Sequence, residues 1–147
     1  MTQAAVPLPE VPPALRRKVE HVDTDASGVV HFSRYASLLE TAGLEELERR
    51  GAGLEVLSAQ GLDLRVRELR VSYRAAARFQ DWLVLVPAVE HVGPASLKLG
   101  VKLYREGTGP EPLLLAFGSL DLAVVNKENG VPACLPPSLS SALKLAP

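Results

Sequence analysis

Two carboxylates, Asp23 and Asp25, lie in a short polar turn, and Gly28 follows them just before a stretch with the pattern of a helix. A carboxylate can attack a carbonyl carbon directly or activate a water molecule to do so. The unpaired amides at a helix start carry a partial positive charge that stabilises the resulting oxyanion. Gly28 would allow a tight turn between the two groups. This arrangement suits the addition of a nucleophile to a carbonyl group.

The helix after this turn is the longest that the sequence predicts. Ser33 is the expected N-cap, and Gly51, which follows two arginines, is the expected C-cap. One face carries apolar residues at helical spacing, namely Tyr35, Leu38, Leu39, Ala42 and Leu47. Because nearly everything after the helix has the pattern of strands, we expect a sheet to wrap around it.

The rest of the chain reads as strands, turns and two short helices. We expect strands over 14–22, 62–73, 82–92, 95–103 and 113–125, and helices over 54–59 and 138–144. A switch in the alternation at Arg67–Glu68 predicts a bulge, and Pro87 predicts an edge position or a bulge. Short turns favour antiparallel pairing, so the expected fold class is α+β, with one sheet against one long helix. Because this single layer leaves surface uncovered, we also expect a dimer.

Composition limits the classes of protein that fit. The 147 residues are 47% hydrophobic with a formal net charge of −1, and Cys134 is the single cysteine. We expect a proline-rich lead-in over 1–13, one domain over 14–147, no disulfide, and no nucleic-acid or membrane partner. No apolar run reaches the ~18 residues of a membrane span, and no secretory signal is present, so we expect a cytoplasmic location. No His pair has metal-ligand spacing, and we predict neither metal nor cofactor.

The sequence resembles the 4-hydroxybenzoyl-CoA thioesterase family in three blocks. The matching residues are Asp23-Thr24-Asp25, Gly28-Val29-Val30, Tyr35 and Glu40 in the first block, Val71, Tyr73, Ala77-Arg78-Phe79 and Asp81 in the second, and Gly93 and Ser96-Leu97 in the third. The resemblance implies the hotdog fold, a curved antiparallel sheet wrapped around one long central helix. It also implies hydrolysis of a small or medium acyl-CoA thioester, possibly an aromatic one, by a homodimer or a dimer of dimers.

The resemblance assigns roles to individual residues. It makes Asp25 the catalytic nucleophile or general base and places the backbone N–H of Phe32 against the thioester carbonyl. Glu40 is expected on or near the buried side of the helix, where it orients water or the partner group; a partly exposed Glu or an interface ion pair is the alternative. The candidate substrate-binding residues are Gly28, His31, Tyr35 and Ser96.

Several of these residues also have purely structural interpretations. From spacing alone, capping of local backbone in its turn is the favoured role of the Asp25 side chain, and the resemblance shifts the preference to catalysis. His31 either lines the mouth of a pocket or packs at a subunit interface, and Tyr35 fits a core position as well as a pocket wall. Asp23 is expected to be structural, and the basic run 16–18 is expected to be a solvated face.

The chain departs from the family pattern at three places. Pro94-Ala95 stand where relatives often carry a basic residue that can grip the CoA phosphates, Arg34 stands in place of the usual Asn, and Ala76 in place of the expected Pro. An acyl group on a carrier protein is therefore an alternative substrate. A non-catalytic module that binds acyl groups, and an enzyme that hydrates or dehydrates acyl thioesters, are alternative functions.

Overall fold

The computed structural model describes residues 15–107, 109 and 111–144, so the predicted lead-in over 1–13 lies outside the described residues. Within these residues, five strands and three α-helices follow one another. In order they are β1 (Leu15–Lys18), α1 (Phe32–Arg49), α2 (Leu54–Ala59), β2 (Leu62–Tyr73), β3 (Trp82–Val92), β4 (Ser96–Glu106), β5 (Leu113–Asn126) and α3 (Pro137–Lys144). A short 3-10 turn, His21–Asp23, lies between β1 and α1. The long helix and the four strands that succeed it are confirmed.

The strands form one antiparallel sheet in the order β1-β3-β4-β5-β2. The predicted bulge is confirmed, since the pairing of β2 with β5 shifts between Val66 and Glu68. The described part of β1 pairs with β3 from Trp82 to Leu85, and Pro87 pairs with Val101 of β4, so an edge position or a bulge at Pro87 stays a prediction. On the opposite side of the sheet, β2 pairs with β5 alone among the described residues, so no described strand covers its outer edge.

Helix α1 packs across one face of the sheet because its apolar stripe is continuous. Its buried residues are Tyr35, Leu38, Leu39, Ala42, Gly43, Glu46 and Leu47. Glycines allow the close approach of helix and sheet: a Cβ at Gly43 would lie 2.9 Å from Leu99 Cδ1, and one at Gly118 would lie 2.6 Å from Leu39 Cδ2. The helix therefore touches the sheet at positions where no side chain intervenes.

A second apolar cluster covers the end of the sheet remote from the start of α1. It is built from Leu47, Leu57, Leu97, Leu99, Leu139 and Leu143, among others. Glu46 is buried at the rim of this cluster and is paired with Arg49 and Arg50 at 2.8 and 2.6 Å. Arg50 also donates to Leu143 O, which ties the end of α1 to α3.

Several boundaries differ from the prediction, among them the end of β4, which extends to Glu106, and two of the differences have a physical reason in the structure. Strand β1 ends at Lys18, earlier than expected, because Val19 N–H donates to Asp81 O and the chain then enters the 3-10 turn. Ser33 is not the N-cap of α1: the cap is His31, and Ser33 lies inside the first turn. No helix in the described part of the chain combines the length and apolar character needed to cross a bilayer.

Candidate active site

Asp25 lies in a tight hairpin that leads into α1. Thr24 pairs with Val30, Asp25 N–H donates to Val29 O at 2.9 Å, and Gly28 N–H donates to Asp25 O at 3.0 Å. Gly28 adopts a φ of +85°, which side chains disfavour, so the turn requires the glycine that the sequence analysis singled out. The two arms of this hairpin place the acid and the helix start on one continuous piece of chain.

The Asp25 side chain is exposed, and its two short hydrogen bonds come from Ser27. Its Oδ1 accepts hydrogen bonds from the Ser27 hydroxyl at 2.6 Å and from the Ser27 amide at 2.8 Å. These two bonds favour the ionised form and lower the pKa of the Asp25 carboxyl. Both short hydrogen bonds end on Oδ1, so Oδ2 is the carboxylate oxygen that is more open to a substrate or to water.

The start of α1 is capped by an imidazole. The side chain of His31 accepts a hydrogen bond from Ser33 N–H through Nδ1 at 3.2 Å, and Nδ1 also lies 2.7 Å from Ser33 Oγ. The imidazole is exposed, and it stacks on the ring of Phe32 with centroids 4.6 Å apart. His31 therefore fixes the first turn of the helix, the role that the sequence had assigned to Ser33.

The amides around this start are used unequally. His31 N–H donates to Asp23 O at 2.9 Å, and Arg34 N–H donates to His31 O at 2.9 Å. Ser33 N–H is occupied by the imidazole. Across residues 15–107, 109 and 111–144, Phe32 N–H has no acceptor. The amide named in the sequence analysis is thus the one left for an external oxygen, as expected at a helix start.

Asp23 is the most heavily bonded acid of this region. Its carboxylate is fully buried and accepts hydrogen bonds from Arg17, from Glu20 N–H and from Arg34. Burial raises the pKa of this carboxyl, but the three donors outweigh that effect and leave the pKa lowered. The structural interpretation of Asp23 is supported, whereas the expected solvated face is wrong for Arg17, which serves this buried acid.

The remaining candidate residues are dispersed. Tyr35 is buried at 3% exposure, and its hydroxyl accepts a hydrogen bond from Ala77 N–H at 3.3 Å. Burial raises the pKa of this phenol. Glu40 is exposed, so the expectation that it lies on or near the buried side is wrong; the acid on the buried face is Glu46. Within one chain, Tyr35 therefore belongs to the core and Glu40 faces outward.

Ser96 lies far from the hairpin in the same chain. It begins β4, whereas the last residue of that strand, Glu106, pairs with Trp82 beside the hairpin. Ten residues of strand span about 33 Å. Ser96 instead lines an open cavity of about 560 Å³ together with His91 and Lys98. A single chain therefore does not bring Ser96 to Asp25.

Comparisons with known proteins relate the chain to thioesterases. The sequence model of the thioesterase superfamily matches residues 27–111, a region that begins two residues after Asp25. The acyl-CoA thioesterase YbgC of Haemophilus influenzae is 29% identical over 126 residues, which cover 85% of this chain and 89% of that protein. The acyl-CoA thioester hydrolase YbgC of Escherichia coli O6:H1 is 28% identical over 127 residues, covering 86% and 92%.

Solved structures share the architecture. A hypothetical protein, TT1821, from Thermus thermophilus is 32% identical and superposes with a TM-score of 0.79, covering 88% of this chain and 95% of that one. The DHNA-CoA thioesterase of Staphylococcus aureus is 20% identical with a TM-score of 0.79, covering 88% and 86%, and shows likeness of fold alone. The predicted hotdog fold is confirmed.

Proposed function

The chain belongs to the thioesterase superfamily and is a thioester hydrolase, and from this premise we propose that it cleaves acyl-CoA thioesters at the hairpin before α1. The observation that carries the proposal is the unoccupied amide of Phe32, which directly follows the hairpin bearing the ionised Asp25. The names of the two YbgC proteins assign them acyl-CoA substrates, which supports coenzyme A as the thiol part of the substrate.

In the proposed reaction the acyl carbonyl oxygen accepts a hydrogen bond from Phe32 N–H. As the carbonyl carbon becomes tetrahedral, negative charge builds on that oxygen, and one aligned donor is worth about 3 kcal/mol of barrier. Asp25 takes a proton from water while the water oxygen bonds to the carbon. The carbon–sulfur bond then breaks, the sulfur receives the proton, and a free acid and a thiol leave.

Asp25 acts in this proposal either as the base just described or as a nucleophile. As a nucleophile its carboxylate bonds to the acyl carbon, the thiolate departs, and water hydrolyses the resulting anhydride. A single turnover in ¹⁸O-labelled water separates the two routes, because direct attack transfers an unlabelled aspartate oxygen to the acid when water enters at the aspartyl carbon.

The other site residues act around these two groups in the proposal. Gly28 shapes the hairpin, and exposed His31 contacts the substrate beside the amide that it helps to present. Glu40, which faces outward from α1, orients water or a partner group. Glu40→Gln should lower kcat, whereas Glu45→Gln, an exposed acid on the same helix, should not. Tyr35 and Ser96 would contact the acyl or thiol part of the substrate only in a site that two chains form together.

We propose that the site is completed by a second copy of the chain. In the part of the chain that the structure describes, the outer edge of β2 is unpaired, and the strand exposes Val66, Leu69 and Tyr73. Tyr73 Oη donates to Phe32 O at 3.2 Å, so this apolar surface reaches the proposed site. In light scattering, Leu69→Lys should weaken self-association and lower turnover, while Val131→Lys, at an exposed apolar residue in a turn, should leave both unchanged.

The proposed function is tested with a panel of acyl-CoA and acyl-carrier thioesters on three proteins. Wild type should hydrolyse at least one acyl-CoA, and Asp25→Asn should lose about 100-fold or more in kcat, the lower end of general-base catalysis. Asp63→Asn is the matched control, because Asp63 is also held by a neighbouring amide and has a lowered pKa but lies on β2.

The outcomes separate the candidate functions. If turnover is confined to carrier-linked thioesters, the substrate's acyl group is delivered by a carrier protein and not by CoA. Saturable binding of acyl-CoA without turnover across the panel would point to a binding module, and conversion of an enoyl-CoA to a hydroxyacyl-CoA would point to a hydratase. Hydrolysis that is unchanged in Asp25→Asn would remove Asp25 from the mechanism.

A further inference from the structure

The Asp23 carboxylate joins three segments that meet at the base of the Asp25 hairpin. From β1, Arg17 donates to both carboxylate oxygens at 2.9 and 3.2 Å. From the turn, Glu20 N–H donates to Oδ2 at 2.9 Å. From the first turn of α1, Arg34 donates to Oδ1 through Nε at 3.0 Å and Nη2 at 2.9 Å. A fully buried acid is thus bonded to both sides of the proposed site.

The main chain of Asp23 reinforces the same connection. Its carbonyl oxygen accepts His31 N–H at 2.9 Å, and His31 is the residue before the unoccupied Phe32 amide. Asp23 also stands only two residues before Asp25. The distance from the Asp25 carboxylate to the Phe32 amide therefore depends on the short hairpin and on the contacts that join the base of the hairpin to α1.

Arg34 supplies the side-chain contact between the base of the hairpin and α1, through its ion pair with Asp23. A guanidinium is a rigid planar fork that fixes orientation as well as distance, which an ammonium does not. Reaction rates are sensitive to such placement, since an error of about 1 Å in the position of a reacting group can cost ~100-fold. Without Arg34 the helix start would lose its charged side-chain link to the hairpin base and keep the backbone bonds and the apolar packing around Tyr35.

We propose that Arg34 is a positioning residue whose ion pair with Asp23 fixes the Phe32 amide relative to the Asp25 carboxylate, an inference that rests on the proposed function. Removal of Arg34 leaves Asp23 bonded to Arg17 and to Glu20 N–H, and the buried charge stays paired. Variants at Arg34 should therefore fold.

The test compares Arg34→Gln and Arg34→Lys with Arg16→Gln. Arg16 is the matched control, because its guanidinium makes a comparable fork to Glu106 on the other side of β1. Arg34→Gln should lower kcat between about 10- and 100-fold, the cost of misplaced groups, with KM little changed. Arg34→Lys should recover part of the loss, and Arg16→Gln should keep the wild-type kcat.

A double-mutant cycle with Asp25→Asn tests whether Arg34 acts through the acid. The effect of Arg34→Gln on kcat should be much smaller in the Asp25→Asn background than in wild type. Equal effects in the two backgrounds, or a kcat for Arg34→Gln equal to that of Arg16→Gln, would overturn this inference while the proposed function stands. A wild-type protein without thioesterase turnover would overturn both.

Discussion

The Ser27 hydroxyl lies 2.6 Å from Oδ1 of Asp25, and the Ser27 amide donates to the same oxygen. Both bonds stabilise the carboxylate and lower its pKa, while Oδ2 stays open to solvent in the described structure. A base or nucleophile must be ionised to act. Ser27 therefore extends the ionised form of Asp25 to lower pH, and in the proposed reaction its hydrogen bonds leave Oδ2 as the reacting oxygen.

Replacing Ser27 by Ala should move the acid limb of the pH–rate profile to higher pH. In wild type the lowered pKa keeps Asp25 ionised as the pH falls, and kcat/KM is lost only as the pH passes through that pKa. Loss of the hydroxyl raises the pKa, so activity is lost sooner on acidification and is little changed at neutral pH. Ser37→Ala, at an exposed serine on α1, is the control. If wild type and Ser27→Ala show the same acid limb, Ser27 does not influence the pKa that controls the reaction.

Replacing Phe32 by Pro should remove the proposed oxyanion donor without removing the helix. Proline lacks the N–H and is well tolerated at the first helical position. The preceding residue, His31, has φ −62° and ψ 137°, a conformation that a following proline favours. Loss of one such donor costs about 100- to 1,000-fold in kcat. Steady-state kinetics and circular dichroism on the same samples measure the two effects.

Phe32→Ala is the control for this substitution. It keeps the amide and deletes the exposed ring that stacks on His31, so its kcat should stay close to that of wild type. If Phe32→Pro and Phe32→Ala retain equal activity, the Phe32 amide is not the group that polarises the carbonyl.

The boundaries of several elements could be predicted because their signals are local. α2 and β3 begin and end where glycines, a proline or a polar turn interrupt an apolar pattern, and the β2 bulge follows from a visible change in alternation. The early end of β1 could not be predicted in this way. It depends on a bond from Val19 to Asp81, sixty-two positions later, which no local pattern records.

The candidate site also combines features that local sequence predicts with features that depend on contacts between distant segments. Asp25, Gly28 and Phe32 are close in sequence and belong to one hairpin, so their spacing could suggest a shared role. The burial of Asp23 depends on Arg17 and Arg34 meeting from two different elements. The sequence analysis placed Glu40 on or near the buried side of α1, yet Glu40 is exposed. The buried acid of this helix is Glu46, which two arginines neutralise.

Replacing Gly118 by Ala should destabilise the protein, because α1 and β2 both approach this position closely. A Cβ there would lie 2.6 Å from Leu39 Cδ2 and would also collide with the carbonyl oxygen of Arg70. Overpacking of this kind typically costs about 1–3 kcal/mol. The measurement is the free energy of unfolding in urea. Gly109→Ala, where no atom lies within 4 Å of the new Cβ, should be nearly neutral. If Gly118→Ala and Gly109→Ala have equal unfolding free energies, the close packing at Gly118 is contradicted.

Replacing Asp23 by Asn should destabilise the protein at neutral pH and flatten the dependence of its stability on acidity. Removing one partner from a buried ion pair typically costs about 3–5 kcal/mol, because the remaining charges lose their counterion. The pKa of Asp23 is lowered in the folded state, so its ionisation stabilises the fold above the pKa of the unfolded carboxyl, about 3.9. That contribution is lost as the pH falls through the folded-state pKa.

Urea unfolding of wild type, Asp23→Asn and Asp63→Asn across the acidic range measures this contribution. Asp63 also has a lowered pKa and pairs with Arg65, but both side chains are largely exposed, so its replacement should cost less than about 1 kcal/mol. The difference in unfolding free energy between wild type and Asp23→Asn should be largest at neutral pH and should shrink on acidification. A difference that stays constant down to the lowest pH would mean that the Asp23 charge does not stabilise the base of the hairpin.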